Sequence, residues 1–141
     1  MNTNDPAHDA LPLQRGRVRF TSLQMDNIYT HFRWNNDPEL NRLDSEIPYE
    51  KETFGQFKSR FEQMCRNVSA THRDFEIHAD GTLIGIAYVA RISEHNHHGL
   101  IGITIGDRDY WGCGYGRESM ALLLEYCFSH LDLHRVSAET F

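Results

Sequence analysis

The sequence predicts an α+β fold: a mixed, mostly antiparallel central sheet with helices on both faces. Three observations predict it. The pair Asp80-Gly81 separates two alternating apolar runs, a strong hairpin signal. Residues 52–68 carry apolar side chains at helical spacing. The run from Leu100 to Leu131 passes from an apolar strand through three alternate glycines, Gly112, Gly114 and Gly116, into a helix.

Taken in order, residues 1–16 are polar, contain Pro6 and Pro12, and read as a flexible arm. Residues 17–23 alternate polar and apolar side chains, which predicts a first strand. Met25-Asp26-Asn27 leads into a helix carrying Ile28, Tyr29, Phe32 and Trp34, and Asn35-Asn36-Asp37-Pro38 ends it. A polar connector with Pro48 follows. The second helix sets Phe54, Phe57, Phe61, Met64, Cys65 and Val68 on one face, a spacing that reads as core. Strands are expected over 74–78 and 83–89, joined at Asp80-Gly81. Residues 93–99 form a polar turn bearing His95, His97 and His98. Imidazole is a common metal ligand, but only Glu94 is adjacent and no Cys, Asp or further His falls at a fixed ligand spacing. The turn therefore reads as solvated histidines, and no metal is expected. The strand 100–105 returns beside its predecessor. The helix after the glycines carries Met120, Leu123, Leu124, Cys127, Phe128 and Leu131, and a last strand runs from His134 to Phe141.

Length and composition bound what the chain does. A sequence of 141 residues makes one domain with a real core. A net charge of -6 argues against a nucleic-acid binder, which needs a basic face, and suits a cationic partner such as an amine. Cys65, Cys113 and Cys127 form no Cys-x-x-Cys pair, which favours a reducing cytoplasm. No apolar run approaches a membrane span, and no signal-peptide pattern opens the chain.

Strand, glycine loop and helix make an anion site. The first turn of a helix has N–H groups without intrahelical partners, and the helix dipole adds positive potential there. Glycine removes the side chain that would hold a phosphate away. The Walker tripeptide Gly-Lys-Ser/Thr does not occur. A Gly-x-Gly-x-x-Gly reading fails because its third glycine falls on Arg117 or Ser119. The run Trp111-Gly112-Cys113-Gly114-Tyr115-Gly116 instead resembles the coenzyme A pyrophosphate loop of the GNAT N-acyltransferase superfamily, Gln/Arg-x-x-Gly-x-Gly/Ala. With Trp111 at the first position, the run Tyr110 to Gly116 is similar to the RimJ/RimL branch. The stretch 32–40, with its Asn36-Asp37-Pro38 turn, resembles that branch's opening.

The resemblance covers residues 17–141 and implies an acetyl-CoA-dependent N-acetyltransferase acting on a primary amine: a protein N-terminus, a polyamine or another small amine. It implies that backbone groups of Ile103, Thr104 and Ile105 meet the pantetheine arm and thioester. It also implies that Trp111, Gly112, Cys113, Gly114, Tyr115 and Gly116 hold the diphosphate, with Arg117 adding charge. Many relatives carry a Glu where Leu100 stands, so the catalytic base is not identified; Glu76 and Glu139 are the strand carboxylates that remain as candidates. The acidic run Asp37, Glu39, Asp44, Glu46, Glu50 and Glu52 reads either as a solvated connector or as a rim that draws cations. The resemblance further implies another helix, bearing a tyrosine acid, and more strands after residue 141. A truncated gene, a fragment or a subunit completed by another chain would each account for this, and an uncovered last strand is expected to self-associate as a homo-oligomer. The alternative function is a non-catalytic coenzyme A-binding or interaction module that kept the loop.

Overall fold

The computed structural model of the chain describes residues 13–40, 51–66 and 69–138. They fall into two compact units, one holding the described residues up to Ser22 and from Ser69 onward, the other residues 23–66.

The first unit is a sheet with one long helix. Its strands are β1 (Leu13–Arg15), β2 (Val18–Thr21), β3 (Arg73–Ala79), β4 (Thr82–Ser93), β5 (His98–Ile105) and β6 (Arg135–Ala138). Among the described residues they form one six-stranded sheet in the order β1-β2-β3-β4-β5-β6. Every pair is antiparallel except β5 and β6, which are parallel. The fold is thus α+β with a mixed, mostly antiparallel sheet, as the sequence predicts.

Several boundaries differ from the sequence reading. Leu13–Arg15 lies inside the expected arm yet is strand: it turns at Gly16 (φ 58) and pairs with β2, Leu13 opposite Phe20. The strand expected over 17–23 is shorter, because regular strand structure ends at Thr21. β4 runs four residues past its expected end at Val89, to Ser93. The Asp80-Gly81 hairpin is as expected. Both residues have positive φ, 50 and 77, which a two-residue type I′ turn requires and which glycine adopts without strain.

Strand alternation decides which face is buried. Val18 and Phe20 of β2, Phe75, Ile77 and Ala79 of β3, Ala87 and Val89 of β4 and Ile101 of β5 form one core cluster. The helix α3 (Tyr115–Ser129) lies against it. Its buried residues are Ser119, Leu122, Leu123, Tyr126 and Cys127, a stripe at i, i+3, i+4, i+7 and i+8. Phe128, read from spacing as part of that stripe, is 48% exposed. It lies one residue beyond Cys127, about 100° further round the helix, and Tyr126 takes the inward place. The Tyr126 ring meets Phe75 edge-on at 5.0 Å.

The second unit pairs α1 (Ile28–Asn35) with α2 (Phe54–Arg66). Ile28, Phe57 and Phe61 form its core, with Phe32, Phe54 and Cys65 packed against them, so the α2 phenylalanines are core as read. Val68 lies outside the described residues. A capping box starts α2: Gln56 N–H donates to Thr53 Oγ1 at 3.2 Å and Thr53 N–H to Gln56 Oε1 at 3.0 Å. The Asn36 amide binds both backbone groups of Glu52, at 2.9 and 3.0 Å, and ties the approach to α2 to the end of α1.

Candidate active site

The site is built where β5 ends and α3 begins. Among the described residues, β5 has partners on both sides only along its first half. On one side β4 accompanies it to the end, with Ile103 opposite Ala87, Thr104 opposite Ile86 and Ile105 opposite Gly85. On the other side the β6 ladder runs from His98–Arg135 to Ile101–Ala138. From Gly102 onward β5 therefore continues past the end of the described β6, in the place where an extended ligand could add its own backbone-like groups.

The end of β5 is pinned. Ile84 carbonyl accepts the N–H of Gly106 at 2.8 Å and of Asp107 at 3.1 Å. Trp111 donates its indole N–H to Ile105 carbonyl at 2.6 Å. Trp111 occupies the position where the resemblance has Gln or Arg; here it clamps the loop to the strand and brings no charge. It also takes the Ile105 carbonyl, so of the three residues expected to meet the pantetheine arm, Ile105 already has its oxygen engaged.

The glycines then turn the chain into α3. Gly112 (φ 73) and Gly114 (φ 88) hold left-handed conformations, and Gly114 is the residue that precedes the helix. The first intrahelical bond is Glu118 N–H to Gly114 carbonyl at 3.1 Å. The N–H groups of Tyr115, Gly116 and Arg117 thus lead the helix without an intrahelical acceptor. Gly116 lies within the first turn, where a Cβ would come 4.0 Å from Ile105 Cγ1. Arg117 is exposed on that turn.

The sequence reading missed Arg17. This residue sits in the β1–β2 turn, far away in sequence, and reaches the loop. Its Nη2 donates to Cys113 carbonyl at 2.8 Å, its Nε to Glu118 Oε2 at 2.7 Å, and its guanidinium lies 4.0 Å over the Tyr115 ring. The hydrogen bond from Arg17 holds Glu118 below the usual carboxylate range, and Glu118 raises Arg17 in turn. Without this partner the Glu118 carboxylate would stand uncompensated beside the head of the helix. The alternation Arg15, Arg17, Arg19 was the only trace of this residue, and it reads as the outer face of a strand.

Of the two candidate bases, Glu139 lies outside the described residues. Glu76 is on β3 and fully buried. Its neighbours Phe75 and Ile77 point into the α3 core, so Glu76 points to the other face of the sheet, where His78 Nε2 lies 3.0 Å from its Oε1. Glu76 is in register with Ile86, and Ile86 with Thr104. Two strand spacings, about 10 Å, separate Glu76 from the half of β5 that outruns β6. Leu100, where a relative's carboxylate would stand, is half-buried between Ala90 and Ser137.

Two members of the acidic run are described with partners of their own. Asp37 caps the next helical turn through Glu39 N–H and Leu40 N–H, at 2.9 and 3.3 Å. Glu52 binds Arg60 at 2.9 Å and Asn35 at 2.9 Å, which lowers its pKa. Asp44, Glu46 and Glu50 lie outside the described residues. Spacing put no Asp or further His beside the histidine turn, yet the fold brings Asp132 and His134 to His97.

The family model for the acetyltransferase (GNAT) domain matches residues 17–141. The chain belongs to the GNAT acetyltransferase family. It is therefore an acyltransferase, and acyl-coenzyme A is the family's cofactor. Solved structures agree on the fold. A spermidine N-acetyltransferase from Vibrio cholerae, in complex with CoA and spermine, superposes with TM-score 0.78 at 20% identity over 89% of this chain and 72% of that one. A GNAT-family acetyltransferase from Bacillus anthracis gives 0.72 at 19%, over 91% and 72%. No curated protein matches the sequence significantly. Among the described residues no helix of this GNAT chain is long and apolar enough to cross a membrane.

Proposed function

We propose that this chain transfers the acetyl group of acetyl-CoA to a primary amine on a cationic substrate, a polyamine or a protein N-terminus. The observation that carries the reading is the head of α3. Three backbone N–H groups face outward from a turn that Gly112 and Gly114 shape and Arg17 braces. Diphosphate is the group such a turn suits, since several N–H donors and the helix dipole act on one dianion. The pantetheine arm then runs along β5 from Ile105 toward Gly102 and carries the thioester to the sheet face that bears Thr104.

The amine must lose a proton before it attacks. A lysine-like ammonium, with a pKa near 10.4, costs roughly 4.6 kcal/mol to deprotonate at pH 7, whereas an α-amine near 8 costs about 1 kcal/mol. Glu76, with His78 on its oxygen, is the proton acceptor we assign. It is on the Thr104 side of the sheet, two strand spacings from Thr104, so the proton would pass to it through a chain of waters rather than directly. The net charge of -6 favours approach of a polycation. The structure bound to spermine makes a polyamine the first acceptor to try. Three free thiols accord with a cytoplasmic setting. Arg135, Ser137 and Ala138 leave the outer strand β6 exposed, which is where a second copy would pair.

The test is a thiol-release assay with acetyl-CoA against spermidine, spermine and a peptide with a free N-terminus, run beside a calorimetric titration of coenzyme A. Turnover on one amine class identifies the acceptor. Glu76→Gln should lower kcat about 100-fold or more with the KM for acetyl-CoA unchanged. Binding of coenzyme A without turnover on any amine would replace this reading with the non-catalytic module.

A further inference from the structure

Two turns meet at the end of the sheet opposite the glycine loop. One is the β4–β5 turn ending in His97; the other connects α3 to β6 and contains Asp132 and His134. Their backbones are fastened together. His97 carbonyl accepts the N–H of His134 at 2.8 Å and of Arg135 at 3.1 Å, and Leu133 N–H is held by Cys127 carbonyl at 3.0 Å. His97 and Asp132 both sit at positive φ, 51 and 53, which is uncommon for residues other than glycine.

The side chains converge as well. The His97 and His134 rings stack at 4.3 Å with 9° between their planes. One ligand atom from each of His97, Asp132 and His134 lies within 4.8 Å of the other two. His97 Nδ1 is 3.0 Å from Asp132 carbonyl. A carbonyl only accepts, so Nδ1 carries the hydrogen and the neutral ring keeps its lone pair on Nε2. A backbone acceptor that sets the tautomer in this way is the usual companion of a metal-bound histidine.

We propose that His97, Asp132 and His134 form a surface site for a divalent transition metal of the Zn2+ type, which joins the β4–β5 turn to the α3–β6 connection. Two imidazoles and one carboxylate suit zinc, nickel or copper, whereas magnesium and calcium prefer oxygen ligands throughout. Bonds of about 2.0–2.2 Å to one ion require the three ligand atoms to close to roughly 3.4 Å. The side chains are 40%, 82% and 68% exposed, so rotation of the rings out of their stack supplies that movement while the backbone stays put. Water completes the coordination shell. Because the ion ties the start of β6 to the start of β5, it holds the parallel pair that the rest of β6 extends. The glycine loop lies at the other end of β5, about 23 Å away along the strand, so this site is separate from the cofactor turn.

The experiment uses the full chain carrying Cys113→Ser, which removes the exposed thiol as a competing ligand. Titration with ZnCl2 in the calorimeter should show one site, and 100 μM Zn2+ should raise Tm by about 3–8 °C. MgCl2 at the same concentration should leave Tm unchanged. His134→Ala and Asp132→Asn, both at exposed side chains, should each weaken Zn2+ binding at least tenfold. His95→Ala, in the same turn but outside the cluster, should bind as the parent does. Relative to the Cys113→Ser parent, His134→Ala, Asp132→Asn and His95→Ala should each leave coenzyme A affinity unchanged. The proposal is overturned if no saturable Zn2+ binding is seen, or if binding persists at full strength in both His134→Ala and Asp132→Asn.

Discussion

The three glycines of the loop should respond to alanine with different signs. At Gly114 a Cβ meets two penalties. With φ at 88 the residue is left-handed, which costs an L-residue about 1–2 kcal/mol. The Cβ also comes 3.2 Å from Arg17 Nη2, so the guanidinium must shift off Cys113 carbonyl. At Gly112 only the first penalty applies, because φ is 73 and no heavy atom lies within 4 Å of the new methyl. At Gly116 neither applies: its nearest new contact is an ordinary 4.0 Å and the residue is helical. There alanine removes a glycine from a helix and should stabilise by about 0.5–1 kcal/mol. With unfolding entropy near 2.1 cal/mol/K per residue, a chain of 141 residues moves by about 3 °C per kcal/mol. Gly114→Ala should therefore lower Tm by about 3–7 °C, Gly112→Ala by about 3–6 °C, and Gly116→Ala should raise it by about 2–3 °C. Differential scanning calorimetry reads the series, and titration with coenzyme A reads the site. Affinity should fall tenfold or more for Gly114→Ala and stay within about threefold for Gly116→Ala. A Gly116→Ala protein that melts lower than the parent, or a Gly114→Ala protein that binds coenzyme A normally, would refute the account of the loop.

Other outcomes follow from the same geometry. Arg17→Ala should raise the Kd for coenzyme A about 3–10-fold, because Glu118 then faces the bound diphosphate unpaired; Arg17→Ala with Glu118→Gln should recover most of it, read by the same titration. Cys113 is exposed, while burial pushes the Cys127 thiol up to about 12, so iodoacetamide at pH 8 should alkylate Cys113 in the folded protein and Cys127 only after denaturation, as mass spectrometry of peptides will show. The hydrogen bond that His72 Nε2 donates to Asp74 Oδ1, at 2.9 Å, raises the pKa of His72 above 6.5. A raised histidine stabilises fully below the unfolded value and loses that contribution as pH climbs through the folded one. Replacing His72 by Gln should thus lower Tm most at pH 6 and progressively less as the pH climbs above 6.5. Leu123, fully buried on the core face of α3, should cost about 2–5 kcal/mol on truncation to Ala, measured by urea unfolding.

Local pattern carried the sequence reading a long way, and it stopped where partners are distant. Asp80-Gly81 specified its own turn because the type I′ φ values depend on two adjacent residues. The phenylalanines of α2 and the glycines before α3 likewise announced their roles through spacing alone. Phe128 misled because one face of a helix is wide enough for several apolar registers, and packing against Phe75 chose Tyr126. Leu13–Arg15 is only three residues long, too short for a periodic signal, and becomes strand through its register with β2.

The sequence by itself determined the order of the elements from β2 onward, the tight hairpin, and the glycine turn that leads into α3, because each depends on residues within about a dozen positions. Only the tertiary structure decided that Arg17 braces that helix head, that Glu76 shares a sheet face with Thr104, and that His97 meets Asp132 and His134. Those encounters join residues as much as a hundred positions apart. Their register is set by the sheet order and by which face of α3 is buried, a choice made by the whole core at once.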